Sequence, residues 1–242
     1  MLDGFRNALA FLSRLAPPAP LRDGENPLAG AVPFYPLAGL VLGGIAALPA
    51  LALPPSMAWV AAWAYVLILA WSTRGLHWDG LADLADACGS NATGGRFWEI
   101  IKDSRIGAFG VMALVFGIAA QVIAAQGCIA KTNIIPLVLA PAFGRAMVIA
   151  LGRIADPNPV STLAALIQPG IRSGRAVAPL LLTPLLALFL LGPLPFLLAA
   201  ILTAACLAVL ARIAAAHGGT NGDFHGAMII AAETAILLAG GV

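Results

Sequence analysis

Apolar residues fall into seven stretches along the chain, at 31–53, 56–72, 106–127, 134–152, 176–191, 195–212 and 226–242, each bounded by proline, glycine or a charged residue. A run of about 20 apolar residues crosses the hydrocarbon core of a bilayer as a helix, and the shorter stretches here sit at the lower limit. Two pairs are so closely spaced that they predict helical hairpins, one turning at Pro54-Pro55 and the other at Gly192-Pro193. Near the amino terminus Leu2, Phe5, Leu9 and Leu12 recur at helical spacing with Arg6 between them, which predicts an amphipathic helix lying on the bilayer surface. Asp3, Arg6 and Arg14 interrupt what would be the uncharged core of a cleavable signal, so this segment is expected to be retained.

Composition supports lipid as the solvent. Hydrophobic residues make up 61% of the 242, charged residues only 10%, and the mean hydropathy is +0.95. The expected fold class is all-α: a polytopic transmembrane helical bundle of about seven spans, with six spans and a re-entrant segment as the alternative. Residues 1–242 form one integral-membrane domain in this reading, with an acidic loop at 73–105 and a Gly-rich loop at 213–226. A net charge of +2 without a basic stripe excludes nucleic acid as a partner. Cys88, Cys128 and Cys206 have no spacing that builds a zinc site and are read as packing residues.

Charge also orients the map, because short cytoplasmic loops collect Lys and Arg. With seven spans and the amino terminus inside, Arg6, Arg14, Arg22, Arg74, Arg96, Lys102, Arg105, Arg153, Arg172, Arg175 and Arg212 all fall on the inner side, eleven of the thirteen basic residues. Lys131 falls outside and Arg145 lies within a span. The expected location is therefore the cell (inner) membrane, with both polar loops on the cytoplasmic face.

Five of the eleven acids lie in the first loop: Asp79, Asp83, Asp86, Glu99 and Asp103. Asp79, Asp83 and Asp86 stand at i, i+4 and i+7, on one face of a helix, where like charges repel. A divalent cation would repay that arrangement, and an oxygen-only ligand set favours Mg²⁺ or Mn²⁺ over zinc. The turn-rich break Gly89-Ser90-Asn91-Ala92-Thr93-Gly94-Gly95 predicts a helical hairpin that carries Asp103 and Glu99 back toward the first three acids. The alternative is a solvated loop whose acids pair with Arg96, Lys102 and Arg105. In the second loop, His217 through Gly226 is dense in glycine, and amides at the start of the following helix suit an anionic group. His217 and His225 there are read as bases, phosphate donors or structural hydrogen-bonding groups. Arg145 and Glu233, charged within spans, are expected to face a cavity or a partner.

Four stretches carry a resemblance to the cobalamin synthase (adenosylcobinamide-GDP ribazoletransferase) family. They are Phe34-Tyr35-Pro36-Leu37 with Gly39; His77-Trp78-Asp79-Gly80-Leu81-Ala82-Asp83 with Asp86; Lys102 through Gly110; and Gly218-Gly219 with Gly222-Asp223. The chain departs from the family pattern with Asn221-Gly222-Asp223 in place of Thr-Gly-Asp, His225-Gly226-Ala227 in place of Leu-Gly-Ala, and Ala87-Cys88 where a glycine is usual. The resemblance implies attack by a hydroxyl of α-ribazole, or its 5′-phosphate, on the cobinamide-side phosphorus of adenosylcobinamide-GDP, with release of GMP. It further implies Mg²⁺ on Asp79, Asp83 and Asp103, with Asp86 as a further ligand or the proton acceptor. Lys102 and Arg105 would bind phosphate oxygens, Asn221, Gly222 and Asp223 would contact substrate, and His77 would bind phosphate or cap its helix. The bilayer is the expected setting, with a homo-oligomer an open alternative. Two competing readings are an enzyme like the CDP-alcohol phosphotransferases and an ion-coupled transporter. The former lacks its later Gly-x-x-x-Asp-x-x-x-Asp here, and a transporter would set its acids near the bilayer midplane.

Overall fold

The computed structural model describes residues 2–20, 24 and 26–242; Arg22, counted above among the inner basic residues, lies outside them. Among the described residues there are thirteen α-helices and no strand. In chain order they are α1 (Leu2–Leu12), α2 (Pro27–Ala31), α3 (Tyr35–Ala46), α4 (Leu48–Ala52), α5 (Ala58–Ser72), α6 (Leu76–Gly89) and α7 (Gly95–Ile101), followed by α8 (Ala108–Ala130), α9 (Ile135–Ile154), α10 (Thr162–Arg172), α11 (Val177–Leu191), α12 (Pro193–His217) and α13 (Gly222–Gly241). Among the described residues seven segments are long and apolar enough to cross a membrane, and each overlaps one of the seven apolar stretches. The first, Pro27–Ala52, is broken into α2, α3 and α4 by Pro33, Pro36 and Pro49, because proline suits the start of a helix and removes a donor from its interior. Both expected hairpin turns are present, with Gly192 in a positive-φ conformation (φ 84°) and Pro193 opening α12.

Packing ranks the spans. α9 is the central helix, 83% buried, and α13 is next at 72%, whereas only 17% of α11 and of α12 is covered and their leucines and phenylalanines face outward. α9 packs on α3, α11 and α13, and α13 in turn on α6, α8 and α12. The amino-terminal helix forms as its periodicity predicts: Ala8 and Leu12 are buried, and Phe5 and Leu9 pack against a second core cluster that includes Tyr35 and Ile167. Arg74 ties it to the α5–α6 junction by donating to the Ala10 and Phe11 carbonyls at 3.3 and 3.1 Å.

The two span-borne charges find each other. Arg145 on α9 and Glu233 on α13 form an ion pair, both almost wholly buried. Gln121 on α8 donates to Glu233 Oε2 at 3.3 Å, Arg145 donates to the Pro141 carbonyl at 3.1 Å, and its other terminal nitrogen lies 3.5 Å from His77 Nδ1 on α6. One polar node thus joins four helices inside the apolar bundle. Removing one member leaves the other charge buried and uncompensated, at a cost of about 3–5 kcal/mol. Glu233→Ala should therefore lower the thermal midpoint of the detergent-solubilised protein sharply. The double change Glu233→Leu with Arg145→Met should recover most of that loss, and a double variant no more stable than the single one would contradict this account.

Candidate active site

α6 begins after Gly75, which takes a left-handed conformation (φ 71°), and buries His77, Trp78, Gly80, Ala82, Leu84 and Ala87. The opposite face presents Asp79, exposed, with Asp83 and Asp86 half-buried, the three-acid face that the spacing predicts. Across from it stands the amino terminus of α13. Asn221 caps that helix, its Oδ1 accepting from the Asp223 and Phe224 amides at 3.1 and 3.3 Å while its Nδ2 donates to Asp223 Oδ2 at 2.6 Å. The two helices touch through main chain. A side chain at Gly80 would lie 2.7 Å from Asp223 Cα, and one at Gly226 would lie 3.2 Å from His77 Cα. Only glycine admits this approach, and it brings Asp223 to the carboxylates of α6.

The electrostatic result is concentrated on Asp83. Burial, then repulsion from Asp79, Asp223 and Asp86, pushes its carboxyl up to about 7. His77 moves the other way: burial first and the Arg145 guanidinium second hold it well below the usual histidine range, so the ring is neutral at physiological pH. Its place is against Arg145 inside the bundle, not as a cationic phosphate donor on the surface.

Asp86 has a different environment. Its two oxygens accept from the Gly107 and Gly110 amides at 2.7 and 2.8 Å, capping α8 from a neighbouring helix. Side chains at either glycine would run into that carboxylate, and a side chain at Gly89 would strike the Phe109 ring. The stretch from Ile106 to Gly110 is thereby clasped onto α6.

The hairpin expected after Gly89 forms, with α7 packed on α6 through buried Phe97 and Ile101. It does not carry its acids inward. Asp103 accepts from the Arg105 amide and side chain at 2.7 to 3.0 Å, which holds its carboxyl down at about 2. Glu99 pairs with Arg96 at 2.9 Å on the exposed surface. For these two acids the local pairing read as the alternative is the arrangement found. Lys102 and Arg105 are exposed beside them. Among the described residues no three His, Cys, Asp or Glu side chains are closed into a ready-made ion cage.

The Gly-rich loop is shorter than expected, because α12 continues to His217 and α13 starts at Gly222. Residues 218–221 are held by a segment that the sequence reading passed over. The Thr220 amide donates to the Asp156 carbonyl at 2.9 Å, the Asn158 amide to the Thr220 carbonyl at 2.8 Å, and Asn158 Nδ2 to the Gly218 carbonyl at 3.2 Å. The Asp156-Pro157-Asn158-Pro159 turn was the available signal, although nothing in it names Thr220 as its partner. His217 is a packing residue, its ring stacked on Phe97 with centroids 3.7 Å apart and its carbonyl accepting from Trp98 Nε1 at 2.9 Å. His225 is buried within the bundle.

A helical membrane protein whose α6 and α13 bring Asp79, Asp83 and Asp223 together, with Lys102 and Arg105 exposed on the segment that follows α7, has the layout of an integral-membrane enzyme. The chain belongs to the family described as cobalamin-5-phosphate synthase, whose model matches residues 4–241. It is 46% identical over 230 residues to the adenosylcobinamide-GDP ribazoletransferase of Nitratidesulfovibrio vulgaris strain Miyazaki F, covering 94% of this chain and 90% of that one. Its identity to the protein of the same name from Thiobacillus denitrificans is 35% over 244 residues, covering 100% of this chain and 96% of the relative. No solved structure matches.

The raised Asp83 carboxyl has a consequence for stability. Its folded value of about 7 exceeds the ordinary aspartate value of 3.8, so the metal-free native state binds more protons than the unfolded chain between those limits. The contribution is favourable at low pH and is lost as pH rises through about 7. Thermal unfolding in EDTA should show the midpoint falling over this window, and Asp83→Asn should flatten the fall and raise the midpoint at pH 8. An Asp83→Asn profile parallel to the wild type would contradict the assignment. Separately, Asp86→Ala should cost about 1–2 kcal/mol by uncapping α8, read by the same unfolding measurement.

Proposed function

We propose that the α6–α13 junction is the reaction centre of a late step in cobalamin biosynthesis: transfer of the adenosylcobinamide-phosphate group from adenosylcobinamide-GDP to α-ribazole or its 5′-phosphate, with release of GMP. The observation that carries the residue assignment is the Asp79, Asp83 and Asp223 cluster, in which burial first and the neighbouring carboxylates second push Asp83 up to about 7. Crowded carboxylates of this kind call for a counter-charge, and their oxygen-only chemistry fits Mg²⁺. Asp79 and Asp83 would hold the ion with Asp223 beside them, where it would neutralise diphosphate charge. In this assignment Asp223 takes the part that the family resemblance gave to Asp103, and Asp103 instead fixes Arg105 in place.

The chain's own groups supply the rest. Lys102 and Arg105 are exposed on the stretch that Asp86 holds against α6 and would attract phosphate oxygens, and Asn221 orients the Asp223 carboxylate by its 2.6 Å bond. Asp86 acts at one remove, holding the Lys102–Gly110 stretch against α6 through the Gly107 and Gly110 amides. This centre faces the cytoplasm of the cell (inner) membrane in our reading, since the basic residues gather on the loops at this end of the chain's path.

Purified protein in detergent should release GMP from adenosylcobinamide-GDP when α-ribazole and Mg²⁺ are present, and EDTA should stop it. Asp83→Asn should reduce turnover at least about a hundredfold while the protein stays folded. Near-normal turnover of that variant across a Mg²⁺ titration would overturn the assignment.

A further inference from the structure

Beside the carboxylate cluster, a cavity of about 100 Å³ lies between α1, α3, α6, α9, α10 and α13. Three deeply buried polar side chains line it: Tyr35, His77 and His225, at 1%, 4% and 6% exposure. Tyr35 Oη, His77 Nε2 and both ring nitrogens of His225 have no hydrogen-bond partner among the described residues. Each such group costs about 1–3 kcal/mol when left unpaired, and native interiors pair nearly all of theirs. Three around one space mark a place where the partner is a ligand.

The walls define that ligand. Apart from the three polar groups they are largely apolar, with Leu12, Val148 and Ile167 among them, and neither Lys nor Arg is present. The one acid is Asp223, so a phosphate would meet repulsion and no compensating cation. The volume of about 100 Å³ is below the roughly 150 Å³ of an engineered cavity that admits benzene, so a whole nucleotide is excluded and the space is of the scale of one small ring at most. Asp223 belongs both to this cavity and to the carboxylate cluster, so a ring seated here lies next to the reacting atoms. The guanine of the donor is separated from the reacting phosphorus by a ribose and a further phosphate. The ring of the attacking nucleoside is adjacent to its own hydroxyl.

We infer that this cavity seats an uncharged nitrogen- or hydroxyl-bearing ring of the acceptor nucleoside, with Tyr35, His77 and His225 as its hydrogen-bonding partners. The inference rests on the transfer reaction proposed above, and it makes Tyr35 and His225 determinants of acceptor recognition. Tyr35→Phe removes one unpaired hydroxyl and no internal bond, so it should fold normally; His225→Leu is the second variant. Each should raise KM for α-ribazole about tenfold, the equivalent of one hydrogen bond, with kcat and the KM for adenosylcobinamide-GDP changed by less than about twofold. Calorimetric titration of α-ribazole into the protein in EDTA, which needs neither metal nor turnover, should weaken in parallel. An unchanged KM for α-ribazole, or a rise in the donor KM instead, overturns the inference. Should the wild type release no GMP, the reaction itself is refuted, and calorimetry still decides the cavity: α-ribazole binding that is absent, or is untouched by Tyr35→Phe, overturns it.

Discussion

The buried pairing of Arg145 with Glu233 is the constraint around which the molecule is built. A charge inside an apolar bundle is tolerated only where another charge and further hydrogen bonds meet it, and here the partners come from different helices. α9 brings the guanidinium, α13 the carboxylate, α8 the amide of Gln121 and α6 the ring of His77. These helices cannot slide past one another without separating the pair. The register of α6 against α13 is fixed in the interior, and the same register decides which carboxylates meet two residues further along α6.

α6 therefore has two faces with opposite electrostatic tasks. Its inner face sends His77 toward a cation, which together with burial keeps the ring neutral. Its outer face half-buries Asp83 among like charges, and burial first and repulsion second push that carboxyl up to about 7. Neither environment is local to the helix, since Arg145 and Asp223 are contributed by elements distant in sequence. The outcome is a concentration of negative charge where α6 meets α13.

Much of this was legible in the sequence, and the boundary of legibility has a physical cause. The seven spans follow from uninterrupted hydropathy, and the acid face of α6 follows from a spacing of four and three residues, both properties of contiguous chain. Asp103 shows where such reasoning stops. Folding the hairpin back carries it toward α6, but Arg105, two residues away, offers a bidentate partner at 2.7 to 3.0 Å and captures it. Asp223 takes the place beside Asp83 because Gly80 and Gly226 let two main chains meet, and no periodicity in either segment announces that contact. Asp86 is similar: the glycines at 107 and 110 appear in the sequence as a motif, while their purpose, admitting a carboxylate from another helix, depends on tertiary contact. The histidines were the hardest to read, because His217 stacks in a packing contact and His225 is enclosed, and in sequence they are eight residues apart in one polar stretch.

The glycine contact between α6 and α13 has one more implication. Where backbone rests on backbone, no rotatable side chain lies between the helices to act as a spring, so the spacing of Asp79, Asp83 and Asp223 is dictated by main-chain geometry. α11 and α12, by contrast, are mostly uncovered and bear on lipid. A tilt of that outer pair in answer to bilayer thickness leaves the main-chain contact untouched, because α6 and α13 alone make it.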